Sequence, residues 1–151
     1  MAAVAGAFCQ EIARKIENQF EITDLFIENG GDIYLRSKIP RNIAIFAGNS
    51  PFSHKIGIEI TPDMTPLGIC TSSGTVGHSL SLGRADAVTI LCKNTALADA
   101  YATSIGNMIQ NPDSIKKALD YSASQQDILG IVIIAGSTIG MRGNIKIIKL
   151  Q

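Results

Sequence analysis

The feature that most constrains this chain is an internal repeat. The segment AVAGAFCQEIARKI, from Ala3, aligns over ALADAYATSIGNMI, from Ala96, at an offset of 93 residues (96 − 3). The matched pairs are Ala3/Ala96, Val4/Leu97, Ala5/Ala98, Ala7/Ala100, Phe8/Tyr101, Ile12/Ile105 and Ile16/Ile109. Val4, Phe8, Ile12 and Ile16 recur every four residues, the period of a helix with one apolar face. Each helix is followed further on by an apolar strand and a glycine turn: Ile27-Glu28-Asn29-Gly30-Gly31-Asp32-Ile33 against Ile133-Ile134-Ala135-Gly136-Ser137-Thr138-Ile139, at an offset of 106 (133 − 27). Any two amphipathic helices share an Ala/Ile pattern. The common order of helix, strand and glycine turn favours duplication. Two such halves are expected to pack pseudo-symmetrically, with a ligand cleft between them.

The other segments fill in around the repeat. Asp24 to Glu28 reads as a mostly buried strand. Asn29-Gly30-Gly31 is a turn signal, because Asn and Gly tolerate positive φ. Strands follow at Asp32 to Arg36, Asn42 to Ala47, Lys55 to Ile60, Leu67 to Thr71 and Asp86 to Cys92. Asn94 or Thr95 caps a helix reaching about Gln110, and a shorter helix runs to about Ser124. Ile128 to Ala135 is almost wholly apolar and belongs at the centre of a sheet. Gly136 to Gly143 reads as a turn, and Asn144 to Leu150 as the last strand. The expected fold class is α+β, one domain over residues 1–151, with a mostly antiparallel sheet and helices on one face.

Composition excludes several functions. The 13 Lys and Arg balance the 13 Asp and Glu, so no long-range field draws nucleic acid or an anionic membrane. With no Trp and 5% aromatics, a base-stacking platform is not expected. Charged residues are only 17% and mean hydropathy is +0.22, which points to a homo-oligomer covering apolar surface. Cys9, Cys70 and Cys92 are odd in number and lack a CxxC pair; they read as reduced thiols of a cytoplasmic protein. No apolar run reaches membrane-spanning length.

The densest set of ligand-type groups is GICTSSGTVGHS, Gly68 to Ser79. Hydroxyls and backbone N–H groups in such a loop can wrap a phosphate-bearing small molecule; an ordinary Ser/Gly connection is the alternative. His78 is the candidate general acid/base or phosphate ligand, against a plain loop histidine. Asp32 either closes an Asx-turn or bonds a ligand hydroxyl over bare glycine backbone. Where the first copy of the repeat has Gly6 and Gln10, the second has Asp99 and Thr103. Those two lie one helical turn apart and offer two oxygens to a hard cation such as Mg²⁺; an Asp favoured near a helix start is the alternative.

Three stretches together, ENGGDIYL, PLGICTSSGTVGHSLSLGRADAVTIL and ALADAYATSIGN, resemble the uncharacterised branch of the ApbE superfamily. The best-known members of that superfamily are Mg²⁺-dependent flavin transferases acting on FAD. The resemblance implies an ApbE-like, T-fold-related duplicated unit. It implies Mg²⁺ on Asp99 and Thr103, and FAD or FMN in a cleft lined by Gly30, Gly31, Asp32, Thr71, Ser72, Ser73, Gly74 and Thr75. The chain departs from the transferases in two places. It has no Lys-Gly opening the first helix and no His-x-x-Asp-Pro element after the Thr-Ser-Gly loop, where His78 is the nearest candidate. In the family further strands precede the segment like MAAVAGAF, so this chain is expected to lack them. Two function classes follow: an Mg²⁺-assisted flavin or nucleotide-diphosphate binder with transferase-type chemistry, or a non-catalytic binding or structural oligomeric module.

Overall fold

The computed structural model describes residues 3–76 and 82–150. Three helices and nine strands follow the chain as α1 (Val4–Gln19), β1 (Leu25–Asn29), β2 (Asp32–Arg36), β3 (Arg41–Ala44), β4 (Ile56–Ile60), β5 (Leu67–Ser72), β6 (Ala87–Cys92), α2 (Thr95–Met108), α3 (Ser114–Ala123), β7 (Gly130–Ala135), β8 (Thr138–Gly143) and β9 (Lys146–Lys149). One sheet has the order β1-β2-β5-β6-β7-β8 and every pairing in it is antiparallel. A second sheet, β3-β4-β9, is antiparallel as well. The α+β class with a mostly antiparallel sheet is the observed one.

The large sheet is covered on both faces. On one, Cys70, Val88, Ile90, Cys92, Ile131 and Ile133 pack with Ala98, Ala102 and Ile105 of α2 and Ile115 and Ala118 of α3. On the other, Leu35, Leu67, Ile69, Leu91, Val132 and Ile134 meet Ile45, Ile58 and Ile60 around the small sheet. The layers are therefore helices, six strands, three strands. Double coverage explains why β6 and β7 are apolar at nearly every position rather than alternating: all six residues of each are buried. The small sheet shows the opposite pattern. In β4, Ile58 and Ile60 are fully buried while Glu59 is not, which matches the alternation expected of a half-buried strand.

Two expectations are corrected. The segment from Gly136 to Gly143 is not a turn throughout: only Gly136 and Ser137 turn, and Thr138–Gly143 forms β8 on the free side of β7. Its glycines hide the strand from a sequence reading. Gly140 is required because a Cβ there would collide with Ile115 of α3, and an edge strand bonded on one side tolerates such residues. The first strand is not mostly buried either. β1 is the opposite edge, with Phe26 55% exposed. Only Leu25 and Ile27 turn inward, toward Cys9 and Ala13 of α1.

The repeat is visible in the fold, in element order more than in position. The two matched hairpins, β1–β2 and β7–β8, form the two margins of the sheet. In the first, the strand preceding the turn is the outer one; in the second it is the inner one. The helices also differ in placement, with α1 over β1 and β2, α2 over β5 and β6, and α3 over β7 and β8. The extra helix of the longer connection therefore covers the second hairpin, and α2 is displaced to the middle.

Ile58 closes the space between the sheets with no exposed surface, whereas Met141 on β8 is 54% exposed. Ile58→Ala is expected to lower unfolding free energy by about 2–4 kcal/mol. Met141→Ala is expected to change it by less than about 0.5 kcal/mol. Urea titration of both variants checks the assignment of core and edge.

A candidate ligand site at the loop end of the sheet

Strand register brings the sequence-predicted residues to one end of the large sheet. Asp32 pairs with Cys70, Ser72 with Val88 and Ala87 with Ile134. The start of β2, the end of β5, the start of β6 and the end of β7 thus lie side by side. Both glycine turns and the loop after β5 share that end. The turns need positive φ, and Gly30, Gly31 and Gly136 have φ of 64°, 99° and 59°, values that an L side chain resists. The first turn is tied to β5 by the Thr71 N–H, which donates to the Gly31 carbonyl at 3.2 Å.

Helix α2 runs along β5, from Thr95 on Gly68 to Gly106 beside Ser72, and carries a polar stripe toward this end. Thr95, Asp99 and Thr103 are spaced four apart and share a face. Asn94 caps the helix, its Oδ1 accepting from the Leu97 N–H at 3.0 Å. Helix α1 packs against the stripe without a gap. A Cβ on Gly6 would stand 2.5 Å from the Thr95 carbonyl oxygen and 2.7 Å from the Asp99 Cβ. The Gly6 N–H donates to Asp99 Oδ2 at 2.9 Å, and Gln10 Oε1 accepts from the Thr95 N–H at 2.6 Å. Of the positions at which the two repeat copies differ, Gly6, Gln10 and Asp99 therefore lie in the helix–helix contact. Asp99 is only 9% exposed. Thr103 is half-buried, and its hydroxyl makes no hydrogen bond among the described residues.

Asp32, 7% exposed, stands across from Asp99. Burial, and next the charge of Asp99, push its carboxyl up to about 7, far above the ordinary range near 4. Near neutral pH Asp32 is therefore still partly protonated. Burial, followed by the charge of Asp32, raises the Cys9 and Cys70 thiols; Cys9 Sγ donates to the Asp32 carbonyl and Cys70 Sγ to the Thr95 carbonyl, both at 3.4 Å. These thiols are packed and held protonated, which disfavours them as nucleophiles. Glu28 also finds its partner: Oε1 accepts from the Gly31 N–H at 2.8 Å and fixes the first turn.

The loop after β5 is pinned from both limbs. Ser73 Oγ accepts from the Thr75 and Val76 N–H groups at 3.1 and 3.0 Å. Thr75 Oγ1 donates to Asp86 Oδ1 at 2.7 Å, and Gly74 N–H donates to the Ala85 carbonyl at 2.8 Å. On the returning limb, the Leu82 N–H donates to Asn107 Oδ1 at 2.9 Å and the Arg84 N–H to the Ile109 carbonyl at 2.6 Å. Gly74 lies on Gly83, and Gly83 on Gly106 of α2; a Cβ on either of the first two would strike a carbonyl oxygen. Of the predicted set, Gly30, Gly31, Asp32, Thr71, Ser72, Ser73, Gly74, Thr75, Asp99 and Thr103 all belong to this end. His78 lies outside the described residues. The sequence reading missed Gly6, Gln10 and Asp86. For the first two the signal was present in the mismatch between repeat copies; for Asp86 there was none.

The donor set fits a hard cation. Asp99, Asp32 and the Thr103 hydroxyl supply oxygen only, the chemistry Mg²⁺ takes. Among the described residues no three His, Cys, Asp or Glu side chains converge on one point. A cation here would therefore complete its shell with water or ligand phosphate, as Mg²⁺ does.

Two outcomes test this geometry. Gly6→Ala inserts a methyl between α1 and α2 and is expected to cost about 1–3 kcal/mol of stability by chemical denaturation. For Asp32, the folded state holds a proton that the unfolded chain releases near pH 4. Its contribution is present below pH 4, is lost as pH rises toward 7, and is level above that. Asp32→Asn keeps a donor to Asp99 without the charge. It is expected to be more stable than the parent at pH 8 by on the order of 2–4 kcal/mol, with the gain vanishing near pH 4. A gain that does not change with pH in unfolding experiments contradicts the coupling.

Comparison with known proteins agrees with this architecture. The profile of the family described as AbpE bacteria matches residues 1–137. A UPF0280 protein of Methanococcus maripaludis strain C7 is 43% identical over 150 residues, covering 96% of this chain and 60% of its own length. UPF0280 proteins of Methanocaldococcus jannaschii and Methanobrevibacter smithii are each 38% identical, over 96% and 100% of this chain and 60% and 65% of theirs. The chain thus spans about 60% of the length of these curated relatives. Among solved structures, the apo form of the flavinyl transferase ApbE of Pseudomonas stutzeri superposes with a TM-score of 0.62 at 17% identity, over 93% of this chain and 46% of that one; the likeness is one of fold. With the family profile covering nearly the whole sequence, the chain belongs to the ApbE-like family described as AbpE bacteria.

Proposed function

We propose that the loop end of the sheet binds a flavin or nucleotide diphosphate with the help of Mg²⁺. The observation that carries this reading is the meeting of Asp32 and Asp99, buried, with Thr103 and a hydroxyl- and glycine-rich loop at one end of the sheet. Two carboxylates at the same cleft repel a diphosphate unless a cation stands between them. Asp99 and Thr103 would hold that cation, and Asp32 would release its proton as the cation neutralises the pair. When bound, Mg²⁺ supplies positive charge to the phosphate oxygens. The chain's own part is to position: Gly30 and Gly31 let the ligand approach bare backbone, and residues 71–75, whose hydroxyls and N–H groups bond one another and the neighbouring strands, form a fixed wall beside it. The fold it shares with a flavinyl transferase makes FAD the first ligand to try and a flavin-transfer reaction the first activity. The same oxygen set binds a nucleotide without turnover equally well. The absence of the Lys-Gly and His-x-x-Asp-Pro elements favours this non-catalytic alternative.

Titration with FAD, FMN and ADP, with and without Mg²⁺, tests the reading. Affinity for at least one of them is expected to fall at least about tenfold on Mg²⁺ removal or in Asp99→Ala. Binding indifferent to both would overturn the cation assignment. A search for covalently flavinylated protein after incubation with FAD separates enzyme from binder.

A further inference from the structure

The two glycine turns are fixed in different ways. In the first, the Gly31 N–H is held by Glu28, three residues away in the same hairpin. In the second, the Gly136 N–H donates to Asp86 Oδ2 at 2.6 Å, across 50 residues. Asp86 stands at the base of the β5–β6 loop, and its other oxygen, Oδ1, accepts from the Thr75 hydroxyl at 2.7 Å. One carboxylate therefore bridges the loop and the β7–β8 turn. The carbonyl of that turn is engaged as well: Ser50 Oγ donates to the Gly136 oxygen at 2.7 Å. The segment carrying Ser50 lies close against the loop, where a Cβ on Gly48 would stand 2.8 Å from the Val76 side chain. Charge-assisted bonds from one carboxylate to two donors are stronger and shorter than neutral ones. In the first hairpin, by contrast, the carboxylate that holds the turn amide, Glu28, comes from the hairpin itself.

We propose that Asp86 is the positioning residue of the ligand loop. It latches Thr75 to the Gly136 turn, so that the loop carrying residues 71–75 is preset by the second hairpin. Asp86 acts through Thr75 and the turn, not through the ligand. The inference rests on the reading that this loop lines the cleft, but the latch itself has a readout that needs no ligand. Asn at position 86 retains one acceptor oxygen and cannot accept from both donors. The carboxylate couples its two donors, so loss of the Thr75 hydroxyl should be felt at the Gly136 amide.

Amide hydrogen exchange, followed by NMR on the whole chain, measures the latch. Asp86→Asn is expected to speed exchange at Gly136 by roughly three- to tenfold. Thr75→Val is expected to speed it in the same direction by a smaller factor, and the double variant to exceed Asp86→Asn little. A role for Thr75 confined to touching a ligand predicts no change at Gly136, and that result would overturn the latch. In parallel, ADP and FAD affinity is measured in Mg²⁺. Asp86→Asn is expected to weaken the ligand that the parent binds by several-fold, with Asp99 and Thr103 intact. Unchanged affinity in a variant whose Gly136 exchange has risen would show that the latch does not preset the site. If the parent binds neither nucleotide, the cleft reading fails, and the exchange data still decide whether Asp86 joins loop and turn.

Discussion

The contact on which the rest of this structure depends is the close approach of α1 to α2 at Gly6. Only a residue without a side chain allows the α1 backbone to reach Thr95 and Asp99. That approach delivers the Gly6 N–H to Asp99 Oδ2 and Gln10 to the first amides of α2. A carboxylate is tolerated inside the protein only when its charge is met, and here the backbone amide of a neighbouring helix meets part of it. With Asp99 held, its carboxylate stands opposite Asp32, where its charge adds to the burial that raises Asp32. The pair is a site of stored electrostatic cost, kept where a cation or proton is able to relieve it.

The layered core gives this pair its surroundings. A six-stranded sheet covered on one face by helices and on the other by a second sheet leaves its central strands without solvent. The residues at their ends are fixed in register, and register is what sets Asp32, Thr71 and the base of the loop side by side. The margins are different. β1 and β8 expose Phe26 and Met141, so each glycine turn belongs to a hairpin with one exposed edge strand. Asp86 and Glu28 offset this by fixing the turn amides with carboxylates.

The local placement of the candidate residues was legible in the sequence, for local reasons. Asp99 and Thr103 interrupt an otherwise apolar helix at a spacing that places them on one face, and a helix keeps that relation wherever it packs. Gly30, Gly31 and Asp32 announce a tight turn because few other residues adopt its backbone angles. Strand β8 was not legible. Its glycines answer to the shape of α3 above it, and nothing in THR-ILE-GLY-MET-ARG-GLY at 138–143 records that helix. The same holds for the edge position of β1. An apolar run states that a strand wants cover but not on which side the cover stops.

By itself, then, the sequence determined the elements, the antiparallel α+β class and the polar positions that interrupt apolar surfaces. These follow from backbone preferences and periodicity, which act over a few residues. Tertiary structure alone decided that a separate three-stranded sheet covers the face opposite the helices. It decided that the matched hairpins occupy opposite margins in reversed order. It also decided that Asp32 faces Asp99, and that Asp86 joins a loop to a turn 50 residues away. These relations arise from strand register and helix crossing, where residues distant in the chain meet through shape and burial, and no local pattern encodes such meetings.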